Sequence, residues 1–126
     1  MSCDSALQTA LRPLGLPVFP NRYTGDSLEY IVTNWSLLPA IPAADHANAA
    51  RYLVQVHYYL PDKQNPNPML EQICLALAAA DFTCPSIEPV DDYRRRSADV
   101  YGQHLTIECE YCDGGYDYGQ DCDQRP

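Results

Sequence analysis

This chain is short of positive charge. Eight lysines and arginines stand against 17 aspartates and glutamates, a formal net charge of −9. A phosphate backbone offers such a protein no general electrostatic gain, so broad nucleic-acid binding is not the expected activity. Acidic surface is ordinary in soluble proteins, where it opposes aggregation. Long apolar runs are missing too: none approaches the ~20 residues needed to cross a bilayer. The opening stretch MSCDSALQTALRPLG has neither a basic n-region nor a long apolar segment, so no signal peptide is expected and the product is read as cytosolic. Phosphate-cradling signatures are absent, with no GxxxxGK[ST] and no GxGxxG. The three histidines, His46, His57 and His104, are scattered and belong to no local nucleophile–histidine–carboxylate pattern. They read as surface or half-buried strand residues. The expectation is a protein with no catalytic site, no metal and no cofactor.

What is present is a chain of 126 residues, long enough for one domain with a real core. Ten tyrosines, one tryptophan and two phenylalanines supply apolar surfaces with polar handles, which suits sheets and interfaces. The chain is organised around RYLVQVHYYLPDKQNPNPMLEQICLALAAADF. Within Arg51 to Leu60 the period-two rule puts Tyr52, Val54, Val56, Tyr58 and Leu60 on one face. Leu53, Gln55, His57 and Tyr59 take the other, a mixture of aromatic and polar groups that suits contact with something other than bulk water. Pro61 stops the ladder because it has no N–H to donate. Asn67 before Pro68 predicts an N-cap, and Met69, Leu70, Ile73, Cys74 and Leu77 recur at helical spacing.

Around this unit the reading is simple. Asp4 or Ser5 caps a first helix running to about Leu14, with Ala6, Leu7, Ala10, Leu11 and Leu14 as its apolar stripe. Leu16 to Pro20 is a short edge strand at best, and Leu28 to Ser36 is a strand rich in β formers. Residues 37–48 have no period and read as a projecting loop, which at that length in a small domain is functional or disordered. Phe82 to Tyr93 is extended and broken by Pro85 and Pro89, which favours an edge or bent strand. Asp91 to Asp99 is a charged connection. Val100 to Tyr111 alternates cleanly, with Gly102, His104, Thr106, Glu108 and Glu110 on one face. Residues 113–126 read as a flexible acidic tail after a single domain over 1–112. The fold expectation is α+β: a single mixed or mostly antiparallel sheet of about four to five strands flanked by two helices.

Two clusters invite chemistry. Cys109 and Cys112 have CxxC spacing, and Cys122 follows ten residues on. Zinc needs tetrahedral thiolate or imidazole ligands, so a small cytosolic zinc module using Cys109, Cys112 and Cys122 is an alternative reading. Against it, a regular strand sends Cys109 and Cys112 to opposite faces, and a redox role needs a helix after the motif. Without a signal sequence the cysteines are expected to stay reduced, with Cys74 and Cys84 as small core residues. Arg94, Arg95 and Arg96 hold three of the eight basic side chains. They are either a solvated loop pairing with Asp91, Asp92 and Asp99, or a contact between subunits. DNA contact is a weaker third option, because the flanking acids cancel the field.

Three segments together resemble the small tail-terminator (tail-completion) proteins of long-tailed bacteriophages and prophages, a group often described only as minor capsid or minor tail proteins. They are the N-terminal helix leading through LGLPVFPNRYTG into EYIVTNW, then RYLVQVHYYLP followed by NPNPMLEQICLAL, and the closing strand HLTIECEY after FTCPSIEP. They cover roughly residues 5 to 112. The resemblance implies a structural virion assembly protein, located at the head–tail junction of the virion after assembly in the host cytoplasm. It implies a homohexameric ring on the head-proximal end of the tail tube. That ring would stop tube polymerisation, meet the head connector or stopper protein, and let genomic DNA pass through its lumen without specific binding or membrane contact. A head-completion or stopper protein is the nearest alternative, differing in docking partner. A ring needs two unlike patches on each subunit. The tyrosine-rich strands and the 37–48 loop are the expected sources, with Gln55, His57, Tyr59, Arg94, Arg95 and Arg96 as candidate interface residues. An acidic lumen would suit DNA that must slide without sticking.

Overall fold

The computed structural model describes residues 2–38, 50–94 and 101–113. Two helices and five strands follow in the order α1 (Cys3–Leu11), β1 (Val18–Pro20), β2 (Tyr30–Leu37), β3 (Ala50–Pro61), α2 (Asn67–Ala79), β4 (Thr83–Arg94) and β5 (Tyr101–Asp113). The sheet order is β1-β2-β3-β5-β4. Only β1 and β2 run parallel; the other three pairs are antiparallel, so the sheet is mixed. This is the α+β architecture read from the sequence, at the upper end of the expected strand count.

Each helix forms for local reasons and then packs on the same face of the sheet. In α1, Ser2 rather than Asp4 or Ser5 is the cap: its hydroxyl accepts from the Ser5 N–H at 3.2 Å. Asp4 instead sits in the first turn, where a carboxylate meets the positive end of the helix. The α-helix ends at Leu11, earlier than expected, because Pro13 cannot continue it. Arg12–Leu14 makes one tight turn, closed by Gly15 at φ 87°, a conformation that glycine adopts without strain. Cys3, Ala6, Leu7 and Leu11 form the buried stripe. In α2 the cap position is Pro66, not Asn67, and the freed Asn67 N–H is met by Asn65 Oδ1 at 3.1 Å. Leu70, Ile73 and Leu77 face inward.

β3 is the spine. It pairs with β2 from Tyr30↔Tyr59 to Leu37↔Tyr52, and with β5 from Ala50↔Asp113 to Pro61↔Gly102. Beyond Pro61, Gln103 Nε2 donates to the carbonyls of Pro61, Asp62 and Gln64, which ties the turn before α2 to the neighbouring strand. β4 is an edge strand with register shifts between Thr83 and Ser86 and between Val90 and Tyr93. The first spans Pro85, which has no N–H for the ladder. Asp91 to Arg94, expected in a charged connection, belong to this strand; 95–100 lie outside the described residues. So do 39–49, most of the expected projecting loop, and 114–126, the expected tail.

The core lies between the two helices and one sheet face. Ile31, Val54, Val56, Tyr58, Leu60, Ile107 and Cys109 come from the strands, and meet Leu7, Leu11, Ile73, Leu77 and Phe82. Burying each large aliphatic side chain stabilises the fold by about 1.5–3 kcal/mol before entropy is subtracted. Among the described residues, both helices leave the opposite face of the sheet uncovered.

Candidate functional site

The uncovered face is built by strand alternation. Because Tyr58 and Val56 point into the core, Leu53, Gln55, His57 and Tyr59 point away from it, as the sequence predicted. Register then fixes their neighbours. One row is Tyr30–Tyr59–His104, the next Val32–His57–Thr106, the next Asn34–Gln55–Glu108, and the last Ser36–Leu53–Glu110. Val32 is buried although it belongs to this face, because its neighbours crowd it.

An aromatic band crosses the upper end of the face. Phe19 meets Tyr23 at 5.2 Å, Tyr23 stacks on Tyr30 at 4.3 Å, Tyr30 on Tyr59 at 4.8 Å, and Tyr59 on His104 at 4.2 Å. Tyr23 comes from the loop between β1 and β2, where its hydroxyl accepts from the Ser27 N–H at 2.9 Å. Offset aromatic pairs contribute about 0.5–1.5 kcal/mol beyond area burial, so this band is a rigid surface. Burial and the neighbouring Tyr30 push the Tyr59 hydroxyl pKa up, so it stays neutral.

Beside the band lies a polar centre. His57 Nδ1 is 2.8 Å from His104 Nε2 and 3.2 Å from Thr106 Oγ1, and His57 Nε2 is 3.0 Å from Asn34 Nδ2. Burial lowers the pKa of His57. Burial and then the charge of His57 lower His104 to about 4. Both rings are therefore neutral near pH 7, each with one N–H, and the short gap between them has room for a single N–H. Further along, Gln55 Nε2 donates to Glu108 Oε2 at 3.0 Å, and Arg51 pairs with Glu110 at 2.8 Å. The polar end of the face is thus internally neutralised except at Glu108.

Of the sequence-nominated residues, Gln55, His57 and Tyr59 come together on this face. Arg94 closes β4 opposite Tyr101, and only its backbone is described. Arg95 and Arg96 lie outside the described residues, as does His46. His57 and His104 are not scattered, contrary to the sequence reading: they touch. Each strand's alternation already put its histidine on the polar face. What the sequence did not carry was that β3 and β5 are neighbours with Tyr59 opposite His104. Asn34, Tyr30 and Tyr23 were missed for the same reason.

The cysteines are placed differently from one another. Cys3, Cys74 and Cys109 are reduced thiols, while Cys112 is disulfide-bonded, against the expectation that all stay reduced. Cys109 is buried on the core face of β5, and burial followed by the nearby Cys3 and Cys74 thiols pushes its pKa up to about 12. Cys112, three positions on in the same strand, points the other way. A zinc ion needs thiolates that converge, and these two do not. Cys122 lies outside the described residues, and among the described residues no group of three potential ligands gathers around a common point.

No protein-family model matches the sequence, and no curated protein matches it. A solved structure whose own name carries no functional description is similar in fold: it is 19% identical, aligns over 89% of this chain and 95% of its own, and gives a TM-score of 0.53. At that identity the likeness concerns the fold alone. No helix among the described residues is long and apolar enough to cross a membrane.

Proposed function

We propose that this protein is a tail-terminator-type assembly protein, which forms a homohexameric ring on the head-proximal end of a phage tail tube, ends tube polymerisation and joins the tail to the head connector. The observation that carries the reading is the uncovered sheet face. It presents a stacked aromatic band and an internally satisfied polar centre, and among the described residues no layer of the chain covers it. Such a face suits a neighbouring protein better than a small substrate, since it spans three strands and several rows of side chains.

A closed ring needs a second, unlike patch on the same subunit. The outer end of β2 supports one. β1 pairs only with Ile31 to Thr33, and beyond it Trp35 and Leu37 are 41% and 61% exposed. The order of elements from α1 to β5 also follows the segments on which the resemblance to tail terminators rests. A head-completion or stopper protein would use the same two patches on a different partner.

The test is assembly. Purified protein mixed with tail-tube subunits should appear as a six-subunit ring on the tube end by electron microscopy. Phage lacking the protein should make tubes of uncontrolled length or tails that join no heads. Normal virions in its absence would overturn the reading.

A further inference from the structure

We propose that the His57–His104 pair is an acid-sensitive latch in the subunit contact: it holds the uncovered face in its assembling form only while a single proton lies in the gap between the two rings. This rests on the reading of that face as the contact between subunits, and adds its regulation.

The donor and acceptor count carries the argument. Asn34 Nδ2 can only donate, so His57 Nε2, 3.0 Å away, accepts. The His57 proton is then on Nδ1, from which it is donated to His104 Nε2 at 2.8 Å, with Thr106 Oγ1 as a second acceptor at 3.2 Å. A proton on His104 Nε2 would set N–H against N–H across that 2.8 Å gap. A proton on His57 Nε2 would face the Asn34 amide N–H. The network can absorb that one proton if the Asn34 amide turns over and presents its oxygen. It cannot absorb a second, because the gap between the rings holds only one.

Relief requires a ring to swing out, and the rings are not free to move alone. His104 stacks on Tyr59 at 4.2 Å and 18°, and Tyr59 stacks on Tyr30 at 4.8 Å. Turning His104 therefore disturbs the aromatic band. Among the described side chains, those in the rows around the pair are Tyr30 and Asn34 from β2, Gln55 and Tyr59 from β3, and Thr106 and Glu108 from β5. On β4, Val90 is the ladder partner of His104 and Glu88 that of Thr106. The nearest carboxylate of β5, Glu108, is engaged by Gln55. Burial, the larger cause for both rings, opposes the added charge.

The sign follows. Both rings lie below their ordinary value of 6.5 while the latch is closed, so the chain with its latch open, or unfolded, binds more protons. The latch is fully closed above 6.5 and opens as pH falls toward about 4, the value for His104.

The experiment follows imidazole nitrogens by NMR in the full chain while pH falls from 7 to about 4, alongside light scattering, for wild type, His104→Gln and Asn34→Asp. Wild type should show two coupled titrations, both below 6.5, and its association should weaken about tenfold or more across the range. In His104→Gln the side-chain oxygen accepts from His57 without titrating, so most of that pH dependence should go, while thermal unfolding at pH 7 falls only by what the lost stack on Tyr59 explains. In Asn34→Asp the carboxylate should raise the His57 titration. Independent titrations near 6.5, or an unchanged pH profile of association in His104→Gln, would overturn the latch. If wild type associates at no pH, the ring reading fails and the regulatory role with it. Coupled titration would then remain as a property of the fold, which separates the two failures.

Discussion

Tyr30 and Tyr59 stand directly opposite each other across the β2–β3 ladder, and their rings stack at 4.8 Å with planes 19° apart. His104 covers the other side of the Tyr59 ring at 4.2 Å. Replacing Tyr59 with Glu removes both stacks and puts a charge in the middle of the proposed contact. The loss of two aromatic pairs costs the monomer about 1–3 kcal/mol. Assembly should suffer more, with association reduced well beyond what the lost stability explains. Light scattering and chemical denaturation on the same variant decide it: an unaltered ring would locate the interface elsewhere.

Tyr58 points the other way on the same strand, and its buried hydroxyl donates to the Glu29 carboxylate, which also accepts from Gln64 Nε2 at 3.0 Å. Burial, and then Glu29, push the tyrosine pKa well above its usual value of 10.0. Tyr58→Phe should cost about 1–2 kcal/mol, because Glu29 keeps Gln64 and partial access to water. The alkaline ultraviolet titration of the folded protein should be the same in wild type and Tyr58→Phe, since Tyr58 does not ionise while the fold lasts. A smaller amplitude in the variant would refute the assignment.

The contrast between these adjacent tyrosines marks where the sequence was legible. Alternation in Arg51 to Leu60 assigned Tyr58 to the core and Tyr59 to the open face, and the structure bears out both. The helical stripe of α2 was equally plain, because Leu70, Ile73 and Leu77 repeat at turn spacing. Caps were misassigned at both helices, since Ser2 and Asn65 act two to three residues before the positions that propensity favours. The pairing of β3 with β5 was not legible. Which strands are neighbours, and in what register, depends on contacts between residues such as His57 and His104 that are 47 positions apart. Periodicity within a strand carries no information about that.

Ile73 and Leu75 lie two residues apart on α2, fully buried and 63% exposed respectively. Ile73→Ala should destabilise by about 2–5 kcal/mol, because it leaves a cavity in the core cluster that the sheet cannot close. Leu75→Ala should change stability by less than about 0.5 kcal/mol. Urea denaturation of the pair checks the direction in which α2 faces; equal effects would mean the helix is rotated.

Cys109 should be chemically silent in the folded protein. Its thiol is buried and held near 12, so almost none is thiolate at pH 8. A thiol-reactive probe should label it only as fast as β5 opens, and rapidly in denaturant. Native labelling of Cys109 at the rate of a free thiol would contradict its place in the core.

The insertion of β5 between β3 and β4 has a consequence for how the protein is made. β3 leaves the ribosome with β2 as its partner on one side, and its other edge stays open while α2 and β4 are synthesised. Its neighbour there is Tyr101–Asp113, some fifty residues downstream at the centre of the strand pairing. The nascent chain therefore carries a twelve-residue tyrosine-rich strand with an unpaired edge for the whole of that interval. When elongation is slow, or in crowded polysomes, this edge is where two nascent copies would first pair wrongly. Yield of correctly folded subunit should be set by how quickly the last strand arrives.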